Sequence, residues 1–501
     1  MTPHASDAPD TPGTKLTTPL LASGGKLLIG GEWREAQSGK RFPTLNPANG
    51  ETLMEIAEAD APDVDAAVRA GRAALDGPWG KMSAAERGKI LWRIADLITK
   101  HNDELGRLET LDAGKPIAET TRVDIPLTAE VFYYYAGAAT RIEGATIPVS
   151  GPYLNYTLRE PLGVVGLIVP WNFPLLIAAR KVAAALAAGN AVVLKPAEET
   201  PLTALRLGEL ALEAGLPAGA LNVVPGFGTT AGASLVAHSG VAGIAFTGET
   251  TTGQTIMTNA SKTLKKLSLE LGGKSPNIVL EDADLELAAR GSMGAIFYNK
   301  GEVCTAGSRL LVQKGLREPL IEKIAERAAK MTQGDTMDPR TRLGAQTSKA
   351  QLEKIERYVE LGKKEGARLV IGGERAVVGD GRGYFYKPTI FDGVRNDMTI
   401  AREEIFGPVL SVIEFDDFDQ ALAMANETAY GLAAGIWTRD IKKAHRAARA
   451  LQAGTVWINA YNLYDAASPY GGYKASGFGR ESGQAGLDFY LQTKSVWVDL
   501  S

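Results

Sequence analysis

Cys304 is the only cysteine among 501 residues, and it stands in "FYNKGEVCTAGSRLLV" between a valine and a threonine, with Gly301 and Gly307 close by. A thiol without a disulfide partner serves either as a small buried apolar group or as a nucleophile. Apolar neighbours suit the first role, and glycines that let backbone approach a ligand suit the second. The string alone leaves both open. Asn172 in "IVPWNFPLL" poses a similar choice. Pro174 suits the first turn of a helix, so Asn172 falls just ahead of it, either as a cap or as an amide facing a developing oxyanion.

Further strings lie where a strand hands over to a helix, and free amides at such a point can receive phosphate. "LKPAEETP" carries Lys195 and Glu198, and "AFTGETTTG" carries Gly248 and Gly253. "PGFGTTAG" holds Gly226, Gly228 and Gly232, with the last glycine one position late for the G-x-G-x-x-G dinucleotide fingerprint. Each string alone is also an ordinary strand-to-helix turn. Together, at the ends of successive strands, they favour a nucleotide.

The elements that position these residues follow from periodicity. Residues 26–60 read as short strands and turns, and a helical zone follows, where Ser83 and Glu86 make a capping box. From 164 strands alternate with helices: "VVGLIV", helix 174–188, "AVVLK", helix 201–214, "LNVV", a helix near 229–237, "GIAF", helix 251–260 and "KKLSLE". Such alternation implies a parallel sheet with ligands at the carboxyl ends of its strands. A second alternating series starts near Gly272, through helices 318–332, 348–364 and 417–426. The chain therefore divides into a cofactor-binding domain over 26–138 and 160–271 and a catalytic domain over 272–484. Small strands are expected over 139–159 and 485–501, and an end strand of this kind often completes another subunit's sheet, so they are candidates for oligomerisation. The last strand, "FYLQTKSVWVDL", has nothing sequential to pair with and completes either its own chain's sheet or another subunit's.

Composition limits the partners. The net charge of −4 and 22% charged residues give no basic surface for nucleic acid. No window approaches the roughly 18 apolar residues of a membrane helix. A single cysteine fits a reducing compartment, here the cytoplasm. Residues 1–25, rich in Pro, Thr, Ser and Ala, lack the marks of a signal or presequence and read as a disordered leader.

"PWNFP", "FTGETTTG", "LELGGKSP", "GEVCTAGSR", "EEIFGPV" and "SPYGGYKASGFGRE" occur in this order from about residue 26 to the C-terminus, and in them the chain resembles the aldehyde dehydrogenase superfamily. The resemblance implies an α/β fold with a Rossmann-type cofactor domain, a second α/β catalytic domain and a small β oligomerisation element. It implies that Cys304 attacks an aldehyde carbonyl, that Asn172 and the Cys304 amide hold the oxyanion, and that Glu270 activates water to clear the thioester. Lys195 and Glu198 match the positions holding the adenosine ribose, and Glu404 and Phe406 those placing the nicotinamide. Trp171, Gly228, Thr247, Gly248, Gly253 and Leu271 complete the cofactor set. The cofactor implied is NAD, with NADP the lesser alternative, and no metal is expected. The thiol needs a lowered pKa, which a helix N-terminus and a nicotinamide cation would supply.

Substrate-pocket candidates are Ile177, Arg180, Tyr298, Val303, Thr305, Asn462, Leu463, Tyr464 and Tyr470. Arg180 stands eight residues beyond Asn172, about 12 Å along a helix, where many members carry tryptophan. Members acting on succinate semialdehyde or hydroxyaldehydes often carry arginine there, so the aldehyde implied has a polar or carboxylate tail. An ion pair with a neighbouring domain or subunit is the other reading of Arg180. Glu249 replaces a common serine and should turn outward from a diphosphate. Glu302 replaces a common glutamine. A coenzyme A-acylating enzyme and a silent structural member are the competing readings, and both fit poorly with an intact Glu270 and Cys304. The resemblance favours a homotetramer, with a homodimer second.

Overall fold

The computed structural model describes residues 21–501. Most of the leader expected over 1–25 lies outside the described residues, but its last five belong to the fold. Leu21 is buried in the core, and the Ser23 N–H donates to Glu209 at 2.8 Å.

An eight-stranded sheet forms the first half. Its order is Glu32–Arg34, Leu27–Ile29, Leu221–Val223, Ala191–Lys195, Val164–Ile168, Gly243–Thr247, Lys266–Glu270 and Gly477–Phe478. The five central strands are parallel. Val164–Ile168 and Ala191–Lys195 are buried throughout and apolar except for Lys195 at the carboxyl end, as strands covered on both faces must be. The chain builds outward from Val164–Ile168 to Ala191–Lys195 and Leu221–Val223, then crosses to the other side for Gly243–Thr247. The order reverses there, and such a switch point opens a crevice at the strands' carboxyl ends. "PWN" follows one of the two flanking strands, and "GE" follows the other.

Helix Pro174–Ala187 covers this crevice and is buried along nearly its whole length. Pro174 fixes its first turn, while Asn172 makes no cap bond; the residue at the cap is Phe173. The expected helix near 229–237 opens as a short π-helix, Gly228–Gly232, before Ala233–Ala237.

The second sheet has seven strands in the order Arg368–Ile371, Thr389–Asp392, Val409–Phe415, Arg309–Gln313, Pro276–Val279, Ala433–Trp437 and Thr455–Ile458, all parallel except the first. The two halves are interleaved more than the linear order indicates. Gly477–Phe478, from the segment read as catalytic, pairs antiparallel with Lys266–Glu270 at the edge of the first sheet.

The C-terminal strand Leu491–Asp499 pairs along its whole length with Tyr153–Pro161 of its own chain, and Thr146–Ile147 completes a three-stranded sheet. Its partner runs two residues past the expected limit of 159, and residues 485–489 belong to helix Gly483–Phe489 instead of a strand. Among the described residues no helix is long and apolar enough to cross a membrane.

Candidate active site

Two cavities of about 610 Å³ each open beside the switch point, and Ile177, Thr247, Leu271 and Cys304 line both. The thiol therefore sits at their junction.

The first cavity takes Trp171, Asn172, Gly248, Glu404 and Phe406 into its wall. Its residues fit a dinucleotide. The Thr247 hydroxyl is buried without a partner, and the helix Thr250–Ala260 starts at the rim. A Cβ on Gly248 would lie 2.4 Å from the Phe246 ring, so only glycine fits that turn. The Trp171 and Phe406 rings meet edge-on, with centroids 5.2 Å apart. Phe406 holds a left-handed backbone (φ 60°), and its carbonyl accepts from Gln351 Nε2 at 2.6 Å. Glu249 is exposed at the rim, consistent with a carboxylate turned away from a diphosphate.

The paired glycines of "LELGG" are explained by two close approaches. A Cβ on Gly272 would lie 2.2 Å from a Glu404 carboxylate oxygen, and one on Gly273 would lie 2.3 Å from the Cys304 carbonyl. The Gly273 N–H donates to Glu404 at 2.9 Å. Glu404 and the Cys304 backbone thus rest directly on that turn.

Cys304 is presented by a turn with three consecutive left-handed residues, Asn299 (φ 44°), Lys300 (φ 53°) and Gly301 (φ 78°). Asn299 and Lys300 each strain the backbone by about 1–3 kcal/mol, so the surroundings must hold them. Asn299 Nδ2 donates to the Asn172 carbonyl at 2.8 Å and to the Glu302 carbonyl at 3.1 Å. Asn172 Nδ2 donates to that same Glu302 carbonyl at 2.9 Å. The Glu302 carboxylate pairs with Lys300 at 2.9 Å and accepts from the Thr347 hydroxyl (2.8 Å) and N–H (3.0 Å). Glu302, where glutamine is common, is therefore half of a buried ion pair clamping the turn. Burial pushes Glu302 up and Lys300 down, each partly offset by the other.

The second cavity holds Glu270, Arg180, Tyr298, Val303, Asn462, Leu463, Tyr464 and Tyr470. Glu270 ends its strand with both carboxylate oxygens buried and without hydrogen-bond partners. Burial first, and the Glu481 carboxylate second, hold it well above the usual carboxylate range, opposed by Lys181, Arg480 and Arg180. Lys181 and Glu481 form a buried ion pair. Arg180 makes no ion pair among the described residues; its guanidinium lies over the Tyr470 ring at 5.2 Å and the Tyr464 ring at 5.6 Å.

Several expectations change. No helix begins at Cys304, and burial pushes its thiol up to about 11, against a hydrogen bond from Tyr470 that lowers it. Thr305 does not line the cavity; it is buried behind Tyr464, and their hydroxyls bond at 2.7 Å. Lys195 and Glu198 pair with each other at 2.9 Å outside the first cavity's wall, where Glu199 stands instead. Gly228 is likewise off the wall, and Gly253 gives room to Leu271, 2.7 Å from where its Cβ would be. His101 and His238 face Glu104 and Asp65, not the thiol. Among the described residues no cluster could hold a metal ion.

Sequence reasoning missed Lys354 and Arg357 on helix Lys349–Lys364 in the first cavity, and Asp124 and Phe173 in the second. A signal existed only for Phe173, which adjoins "PWN". The others arrive by packing from distant segments.

A model of the aldehyde dehydrogenase family matches residues 33–496. The chain is similar to aldehyde dehydrogenase family 2 member B4, mitochondrial, of Arabidopsis thaliana, with 51% identity over 95% of this chain and 88% of that one. Mitochondrial aldehyde dehydrogenase of Homo sapiens is 48% identical over 94% of this chain and 92% of its own. The solved NAD+ complex of an aldehyde dehydrogenase from Bacillus cereus superimposes with a TM-score of 0.94 at 50% identity, covering 95% of this chain and 96% of that one.

The clamp on the Cys304 turn yields a stability prediction. Glu302→Ala leaves the buried Lys300 ammonium without its counter-charge and destabilises by about 3–5 kcal/mol. Adding Lys300→Met recovers most of that loss. Urea unfolding followed by tryptophan fluorescence measures both; a wild-type midpoint for Glu302→Ala contradicts the clamp.

Proposed function

We propose that this chain, which belongs to the aldehyde dehydrogenase family, oxidises aldehydes to carboxylic acids with NAD through a thioester on Cys304. The observation that carries this reading is the thiol at the junction of a cavity lined by Trp171, Gly248, Glu404 and Phe406 and a cavity containing Glu270. The NAD+ complex of the Bacillus cereus relative supports the cofactor.

The thiolate attacks the aldehyde carbon, forming a C–S bond and moving the carbonyl pair onto oxygen. Asn172 Nδ2 carries two hydrogens. One serves the Glu302 carbonyl, leaving the other, with the Cys304 amide, for the oxyanion. Bound beside the thiol, NAD supplies the hydride acceptor. Glu270, once ionised, takes a proton from water as that water attacks the thioester carbon, and the C–S bond then breaks to release the acid and return the sulfur as thiolate; a raised pKa makes Glu270 a stronger base. An acyl transfer to coenzyme A would leave Glu270 without a task. Trp171 and Phe406 position the nicotinamide end, and Glu404, anchored on Gly273, orients its ribose. A dinucleotide running past Glu199, which lines the first cavity, brings its adenosine ribose to Glu198 and Lys195 outside that wall, and the Glu198 carboxylate disfavours a 2′-phosphate there.

Arg180 supports a tilt toward aldehydes with a polar or carboxylate tail: its Nε is buried without a hydrogen-bond partner, and it faces the cavity among tyrosines. The three-stranded sheet supports a homotetramer, with a homodimer the simpler alternative. Leu491–Asp499 has one unpaired edge, and Trp497, Val498 and Leu500 are exposed beside it. The single free thiol supports a reducing compartment, for which we propose the cytoplasm.

Cys304→Ala abolishes NADH production, and near-normal turnover in that variant would sink the mechanism. Glu270→Gln lowers steady turnover by about a hundredfold or more and leaves an initial burst of NADH. Because Glu270 must lose its proton to act, turnover in the wild type rises with pH through its raised pKa. Arg180→Met raises KM about tenfold for a carboxylate-tailed aldehyde but little for an unsubstituted one of equal length. Equal shifts for both withdraw the tilt.

A further inference from the structure

Tyr470 stands apart from the other aromatic residues of the second cavity because its hydroxyl lies 2.9 Å from Cys304 Sγ. We propose that Tyr470 is a catalytic residue whose O–H donates a hydrogen bond to the Cys304 thiolate, favouring the ionised nucleophile against the cost of burial and aiming it at the junction of the two cavities. This rests on the reading of Cys304 as nucleophile.

The direction of the bond follows from the two groups. A thiolate has no hydrogen to give, so the phenol must be the donor. Burial keeps the phenol's own proton on, well above its usual range. Ionisation therefore releases the thiol proton to water while the phenol keeps its proton, and no other bond changes.

The surroundings hold Tyr470 for this task. Its N–H and carbonyl exchange hydrogen bonds of 2.7 Å with Glu481, an isolated antiparallel bridge. Glu481 is anchored in turn by Lys181 on helix Pro174–Ala187. Arg180, the preceding residue of that helix, lies over the Tyr470 ring, and its positive charge makes the O–H a stronger donor. The Tyr464 ring packs beside it at 6.1 Å, and the Tyr464 hydroxyl is committed to Thr305. The other charges acting on the thiol are unhelpful or divided: Glu404 and Glu270 oppose a thiolate, and Arg180 favours it. Tyr470 is the group in direct contact.

Alkylation by iodoacetamide tests this without aldehyde or dinucleotide, and the single cysteine makes intact mass an unambiguous readout. The rate is measured against pH for wild type and Tyr470→Phe, with thermal unfolding to show that both are folded. A hydrogen bond to a charged group of ordinary strength places the variant's midpoint about one pH unit higher. An unchanged or lower midpoint overturns the proposal. If Tyr470→Phe fails to fold, 3-fluorotyrosine at position 470 replaces it. That residue keeps the ring and hydroxyl but donates more strongly, so the midpoint falls; an unchanged or higher one overturns the proposal. Failure here leaves aldehyde oxidation standing, and an enzyme inactive toward aldehydes still gives this shift or lacks it.

Discussion

The Glu302–Lys300 ion pair sits beneath the turn that carries the thiol, and its burial sets the terms for the rest of the site. Lys300 adopts a left-handed backbone that costs a lysine stability, and it does so with its ammonium wholly buried. The Glu302 carboxylate, the Thr347 hydroxyl and the Ala113 carbonyl receive that ammonium. The backbone carbonyl of Glu302 then accepts from both Asn299 and Asn172. A single residue so fixes the turn from below and the Asn172 amide from the side. Cys304 follows two positions later, with its own carbonyl resting on Gly273, just beyond the end of strand Lys266–Glu270.

Burial that strengthens this framework works against the reacting groups. Cys304 and Glu270 each find their charged form disfavoured, the thiol near 11 and the carboxyl well above its ordinary range. For Glu270 the shift is useful, since a stronger base suits attack by water. For Cys304 it is a cost that local donors and charges must offset. The cations of this region, Lys181, Arg180 and Arg480, gather on the Glu270 and Tyr470 side, where they moderate the repulsion between Glu270 and Glu481.

Much of this was legible in the sequence because it depends on local order. Apolar runs such as "VVGLIV" and "AVVLK" announce buried parallel strands, and the residues just after them reach the crevice by topology alone. Pro174 marks the helix start within one residue. Cys304, Glu270 and Asn172 were found through motifs whose spacing belongs to a family. Thr305 shows where such reading stops: it neighbours the nucleophile, yet its side chain turns away to Tyr464, 159 positions along the chain. The Glu302 clamp, the basic residues of Lys349–Lys364 and Asp124 behind Tyr298 are equally non-local. Glu302 could be noticed as a departure but explained only by Lys300 and Thr347, and only the folded chain brings those three together. The terminal strand was undecided between its own sheet and a partner's because a strand's sequence specifies an edge, not whose edge it meets.

The central claim is that Cys304 at the junction carries the acyl group and Glu270 releases it. Quenching Glu270→Gln with acid after a short exposure to aldehyde and NAD, followed by intact-protein and peptide mass spectrometry, tests it most directly. The account predicts one acyl group per chain, added to Cys304 and absent when NAD is withheld. Steady NADH production by the wild type, with no acyl adduct on Cys304 of the variant at any quench time, would contradict it.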